Sequence, residues 1–199
     1  MAPCIVRPKA DSHTLTTPKK DEHMLKSSSL IAAATVLCTA TLAQADSVEI
    51  YLIDTLDNTQ AGYCIDIAGG KGAQADPADG LQAHTCYSPL GGILVDQTFD
   101  TERFADQTLY MPEFDVCMEI DTVDAGASVQ LSTCDDSEAQ AFVFSGEGLI
   151  TPASAPNMCL TAGEDTRSGR SSTNQIKTLT LETCSDAQAA YQTWSVRAD

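Results

Sequence analysis

Three near-copies of one pattern fill the chain beyond about residue 60, and that repetition constrains the fold more than any local propensity does. The first copy reads Cys64-Ile-Asp-Ile, Leu81-Gln-Ala-His-Thr-Cys86 and Gln97-Thr-Phe99. The second reads Cys117-Met-Glu-Ile, Val129-Gln-Leu-Ser-Thr-Cys134 and Gln140-Ala-Phe142. The third reads Cys159-Leu-Thr-Ala, Leu179-Thr-Leu-Glu-Thr-Cys184 and Gln192-Thr-Trp194. Each copy holds two cysteines, a Thr before the second, and a closing Gln-x-aromatic.

The segment before the repeats has a different character. Residues 1–23 are polar and basic, and Met24 opens a second pattern: a Lys and serines, an apolar run from Leu30 to Ala43, then Leu42-Ala-Gln-Ala45. This is the order of a secretory signal peptide. Residues 24–45 are therefore assigned as the signal, residues 1–23 as a non-native upstream extension, and residues 46–199 as the mature domain. The apolar run is short for a bilayer span. Lipid attachment at Cys38 is disfavoured, because Val36-Leu37 precede it where a small residue is wanted. A secreted or periplasmic protein is expected.

Residues 46–199 contain six Lys or Arg against 25 Asp or Glu, a net charge of −19. Such a surface repels phosphate backbones, which argues against nucleic acid as a partner. The acidity reads first as a solubility device and second as a magnet for divalent cations or basic partners, although no metal-ligand spacing supports the latter. All six mature cysteines lie in the repeats. An even number in an exported chain implies disulfides, and six cysteines allow 15 pairings. Repeat symmetry favours Cys64–Cys86, Cys117–Cys134 and Cys159–Cys184. No C-x-x-C pair suggests zinc.

Short alternating or β-branched runs bounded by Gly, Pro, Asp and Asn read as strands: Val48–Ile53, Leu81–Cys86, Thr108–Met111, Val129–Thr133, Phe142–Phe144 and Thr178–Leu181. No sustained 3.6-residue period is present. Each copy supplies a strand at its first Cys, one into its second Cys and one at Gln-x-aromatic. A fourth precedes the next copy, and Val48–Ile53 stands in for the strand that the last copy lacks. The expected fold is all-β, a β-trefoil of three four-strand repeats, each with an internal disulfide, with Phe99, Phe142 and Trp194 in the core. The glutamine before each aromatic is expected to satisfy backbone groups.

At these residues the chain resembles the ricin B-chain-type lectin domains, a β-trefoil family with Gln-x-Trp in each repeat, over about residues 48–197. It departs from that pattern in two aromatics that are Phe, in uneven spacing, and in a polar loop at Gly163–Asn174. The resemblance implies a non-catalytic carbohydrate-binding protein needing no cofactor or metal, with a glycan or polysaccharide as partner. It places the sugar-binding set of the first copy at Asp66, His84 and Asp96, with Gln97 alongside. His84 is the only histidine after residue 45 and reads either as a stacking group or as a solvent-facing residue without a task. The second copy offers a weaker site at Glu119 and Gln140, with Ser132 and Ala139 in the remaining places. The third offers Thr161, Glu182 and Tyr191. No G-x-S-x-G elbow points to an enzyme. The alternative is a trefoil that has lost sugar binding and serves as a protein-interaction or structural module.

Overall fold

The computed structural model describes residues 47–88 and 90–198, so residues 1–23 and 24–45, read above as an upstream extension and a signal peptide, lie outside the described residues. The described residues form fifteen short strands, linked by turns and 3₁₀ segments, with one four-residue helix at Ala189–Gln192. The strands are β1 Ser47–Leu52, β2 Tyr63–Ile67, β3 Leu81–Thr85, β4 Thr98–Asp100, β5 Tyr110–Met111, β6 Val116–Ile120, β7 Val129–Thr133 and β8 Phe142–Val143. They continue as β9 Glu147–Gly148, β10 Thr151–Pro152, β11 Met158–Ala162, β12 Arg167–Ser168, β13 Gln175–Lys177, β14 Leu179–Thr183 and β15 Trp194–Arg197.

Three antiparallel ladders share one register. Cys64 lies opposite His84 in β2–β3, Cys117 opposite Ser132 in β6–β7, and Cys159 opposite Glu182 in β11–β14. The first cysteine of each copy thus faces the residue two before the second cysteine. That register brings the Cα atoms of each cysteine pair to 4.9, 5.1 and 5.0 Å, inside the window a disulfide needs. The three disulfides are those favoured by repeat symmetry. The closed loops of 17 to 25 residues each contribute on the order of 3 kcal/mol through the unfolded chain.

The two ends of the domain pair with each other. β1 runs antiparallel to β15, with Ile50 opposite Val196 and Leu52 opposite Trp194, and β1 also pairs with β4. Glu49, fully buried, accepts hydrogen bonds from the Arg197 guanidinium, which clamps the first strand to the last. Phe99, Phe142 and Trp194 are all buried in one hydrophobic core with Ile50, Ile65 and Leu160. Trp194 also donates its indole N–H to the Leu160 carbonyl at 2.9 Å, so its one polar group is satisfied.

The glutamine before each aromatic makes the same three bonds in every copy. The Nε2 groups of Gln97, Gln140 and Gln192 donate to Asp66 Oδ2 (2.9 Å), Glu119 Oε2 (2.8 Å) and Thr161 Oγ1 (3.0 Å). The same amides donate to the carbonyls of Thr85, Thr133 and Thr183. Their Oε1 atoms accept the backbone N–H groups of Tyr87, Asp135 and Ser185.

One feature breaks the three-fold pattern. The polar stretch of the third copy is not simply a loop. Its two short strands, β12 and β13, form a hairpin that pairs with β3 of the first copy, with Ile176 opposite His84 and Lys177 opposite Ala83. Lys177 anchors it from below. This residue is 2% exposed, donates to the Glu164 carbonyl (2.9 Å) and Thr166 Oγ1 (2.6 Å), and sits 3.4 Å from Asp57. Gln175 N–H donates to Thr85 Oγ1 at 2.8 Å, pinning the other end of β13.

Trp194→Ala, which empties a fully buried site, is expected to lower stability by about 3–5 kcal/mol. Trp194→Phe keeps most of the ring but leaves the Leu160 carbonyl without its donor, an expected loss of about 1–3 kcal/mol. Urea denaturation of the disulfide-intact protein measures both; equal losses would show that the indole bond is idle.

Candidate functional site

The first copy differs from the other two in what covers it. In β7 and β14 burial alternates along the strand, whereas every residue of β3 is buried. Gln82 and His84, whose equivalents in an alternating strand face solvent, are 7% and 8% exposed. The reading of His84 as a solvent-facing position is thereby corrected: the β12–β13 hairpin continues the sheet beyond β3 and encloses its polar side. Between hairpin and β3 lies a cavity of about 370 Å³, with Gln82, His84 and Tyr87 on one side and Arg167, Arg170 and Asn174 on the other. Gly69, Gly70 and Lys71 complete its wall. Only glycine fits at residue 70, where a Cβ would lie 2.1 Å from Ala75 Cα as the loop folds back on itself.

The residues expected to hold a sugar are brought together, but most sit beneath the cavity. Asp66 is 2% exposed and both of its oxygens are engaged: Oδ1 accepts from Gln82 Nε2 (2.8 Å) and Oδ2 from Gln97 Nε2. Gln82 Oε1 in turn accepts from Arg167 Nη2 at 3.2 Å. An acceptor-only carboxylate at one end and a donor-only guanidinium at the other fix the orientation of the Gln82 amide. Burial pushes Asp66 up to about 7 against the pull of its two amide donors, and the Asp96 charge adds to the rise.

His84 Nδ1 lies 2.9 Å from the Thr85 carbonyl, which selects the tautomer with its proton on Nδ1 and leaves Nε2 as an acceptor. Burial lowers its pKa, opposed by the Thr85 bond and Asp96 and reinforced by Arg167 and Lys71, so the ring is neutral at physiological pH. Asp96 is fully buried; Oδ2 accepts from the Tyr87 hydroxyl at 3.4 Å, and Oδ1 has no hydrogen-bond partner. Tyr87 is absent from the expected set. Its ring stands 5.8 Å from His84, and Lys71 Nζ lies 5.2 Å from its centroid. An aromatic placed directly after the second cysteine, where the other copies have Asp135 and Ser185, is the signal that could have singled it out.

In the second copy both oxygens of Glu119 are bonded, to Ser132 Oγ at 3.0 Å and to Gln140. Ala139 lines a separate cavity with Asp121, Asp124 and Glu138. In the third, Thr161, Glu182 and Tyr191 line a cavity of about 410 Å³. Among the described residues, the one cluster with metal-ligand proximity is Glu49, Cys64 and Cys86, whose two sulfurs form a disulfide and offer no thiolate. No helix of the described residues is long and apolar enough to cross a membrane.

Residues 105–199 match the family described as the ricin-type beta-trefoil lectin domain. A ricin B-like lectin of Macrolepiota procera, solved in complex with lactose, is similar in fold, with a TM-score of 0.51 at 14% identity, covering 79% of this chain and 99% of that one. The mdaA-1 domain gives 0.50 at 15% identity, covering 78% and 91%. The β-trefoil lectin of the Vibrio vulnificus hemolysin/cytolysin, solved with N-acetyl-D-lactosamine bound, gives 0.48 at 13% identity, covering 79% and 97%. Among curated proteins no relative matches. The fold is a β-trefoil, and residues 105–199 are similar to the ricin-type lectin domain. The family match spans the second and third copies, and the first has the same glutamine bonds and strand register.

The raised pKa of Asp66 gives a pH signature. The fold favours its neutral form, so its contribution to stability is fully present below about pH 4 and is lost as pH rises through about 7. Asp66→Asn removes this slope. Between pH 5 and pH 8 the variant is expected to gain stability relative to the parent, measured by urea denaturation at each pH; a pH-independent difference would contradict the assignment.

Proposed function

We propose that this protein is an exported, non-catalytic carbohydrate-binding protein whose first repeat takes the sugar in a shallow pocket, on a scaffold of three four-strand units. The observation that carries this reading is the convergence of Gln82, His84 and Tyr87 on one open cavity, linked through Gln82 to the buried Asp66 and Gln97. A pyranose has an apolar face that packs on an aromatic ring, and hydroxyls that need fixed donors and acceptors around them. Tyr87 and His84 offer the rings, His84 Nε2 an acceptor, and Gln82 an oriented amide. Asp66, Gln97 and Asp96 act from beneath, Asp66 by holding Gln82, Gln97 by holding Asp66, and Asp96 by accepting from the Tyr87 hydroxyl. The sugar bound to the Macrolepiota procera lectin of the same fold supports the choice of ligand. Export is supported by three disulfides, which persist in oxidising compartments, and by the signal-like residues 24–45. His84 directs Nδ1 to a backbone carbonyl and not to a carboxylate, so no Ser-His-Asp relay runs through it.

A second reading, a trefoil that has lost sugar binding and serves as an interaction module, is favoured by one observation: both oxygens of Asp66 are already bonded within the protein. NMR-detected titration with a panel of mono- and disaccharides separates the two. The carbohydrate reading expects saturable binding near the millimolar range, about 4 kcal/mol. It also expects a larger loss from His84→Ala than from Glu119→Gln, with thermal melts confirming that both variants fold. No saturable binding to any saccharide would leave the second reading standing.

A further inference from the structure

The six Lys and Arg of residues 46–199 fall into two groups. Arg103, Lys177 and Arg197 each lie within ion-pair distance of a carboxylate. Lys71, Arg167 and Arg170 form no ion pair among the described residues, although 25 carboxylates share the mature chain with them. These three are the cations that line the first-repeat cavity, and no Asp or Glu lines it with them. The contrast with the other polar cavities is sharp. One is lined by Asp121, Asp124 and Glu138 and another by Glu164 and Glu182, with no cation in either.

In a chain this acidic, three cations without ion-pair partners gather on the wall of one cavity, while the carboxyls of Asp66 and Asp96 lie buried beneath it. Exposed charges beyond about 10 Å are screened at moderate salt, so a ligand that touches these cations responds to them more than to carboxylates farther off. The chemistry of the wall is specific as well. Arg167 uses one of its five N–H donors on Gln82, which holds the guanidinium at the cavity edge with donors to spare. Arg170, exposed on the same hairpin, adds a second planar fork, and guanidinium forks match carboxylate and sulfate oxygens in pairs. Lys71 approaches from the first-repeat loop, over the Tyr87 ring.

We propose that this cavity takes a saccharide bearing an anionic group, a uronate carboxylate or a sulfate ester, whose charge is read by Lys71, Arg167 and Arg170 while its ring lies against Tyr87 and His84. This rests on the carbohydrate reading above and narrows its ligand. The cations come from both sides, Lys71 from the first repeat and the two arginines from the third, so the charge filter exists only where the hairpin meets β3.

The test is calorimetric titration of the disulfide-intact protein with four probes: oligogalacturonate, a neutral galactose oligosaccharide of the same length, its sulfated counterpart, and inorganic sulfate. One or both acidic oligosaccharides are expected to bind at least about tenfold more tightly than the neutral one, as a charge-assisted hydrogen bond provides; which of them does so identifies the charged group. Arg170→Gln and Lys71→Gln, at exposed positions without ion pairs, are each expected to reduce the acidic-to-neutral affinity ratio several-fold, and the double variant to bring it close to one. Neutral sugar binding as tightly as both acidic forms would overturn the anionic inference and leave the carbohydrate reading intact. Inorganic sulfate matching the sulfated sugar would show an anion site indifferent to the saccharide. No binding by any of the four would overturn the anionic inference, and the carbohydrate reading would then rest on the saccharide panel above.

Discussion

Each of three buried glutamine carboxamides joins three separated pieces of chain, and the domain depends on that junction. A buried amide has two N–H donors and a carbonyl that must all find partners, because an unpaired polar group in the interior costs about 1–3 kcal/mol. Gln97, Gln140 and Gln192 meet the demand identically. The carbonyl before the second cysteine and the N–H after it are supplied by backbone, and the remaining partner is a side chain two residues beyond the first cysteine. That position is Asp66, Glu119 or Thr161, three residue types with little in common except an oxygen that can accept. The hydrogen-bond geometry therefore explains a pattern that residue identity hides. It also ties the disulfide-bearing hairpin of each repeat to the strand that carries the core aromatic.

This junction changes the meaning of Asp66. The residue serves the scaffold as Glu119 and Thr161 do, through its glutamine, and it is distinguished by a second amide, Gln82, that the cavity shares. Its carboxyl is pushed up to about 7 mainly by burial, with the Asp96 charge adding to the rise. The scaffold's glutamine and the cavity's Gln82 meet on one side chain, with one oxygen turned toward each.

Much of the architecture was legible in the sequence because it is encoded locally and repeated three times. The cysteine pairs, the hairpin register and the core positions of Phe99, Phe142 and Trp194 follow from patterns that each copy states independently. Strand ends were less accurate: Thr108–Met111 contracts to Tyr110–Met111, and Phe142–Phe144 to Phe142–Val143. The site was legible only in part. Its floor lay in the first repeat's motif, but its opposite wall comes from residues 167–177, about ninety positions away. Nothing in Arg167-Ser168 or Gln175-Ile176-Lys177 signals pairing with Ala83 and His84, since strand partners are chosen by tertiary context once both are merely alternating and polar. Tyr87 was missed for a similar reason. Its place after Cys86 has no equivalent aromatic in the other copies, so comparison of repeats discards it.

The departure from symmetry is where chemistry can be specific. Three equal repeats present three equal surfaces, and in an acidic chain each of those surfaces is dominated by carboxylates, as the cavities of the second and third copies are. A wall of opposite sign requires a segment that belongs to one repeat and packs against another. The β12–β13 hairpin does this, and its position is secured by groups that have no sugar-facing role: Lys177 buried against Asp57 and Thr166, and Thr85 accepting from Gln175. Burial works against ionisation of Asp57, yet hydrogen bonds from Thr166 and Tyr63 and the Lys177 charge together bring its carboxyl down to about 2. Asp57 therefore stays ionised across the physiological range and keeps its place beside Lys177 under the hairpin.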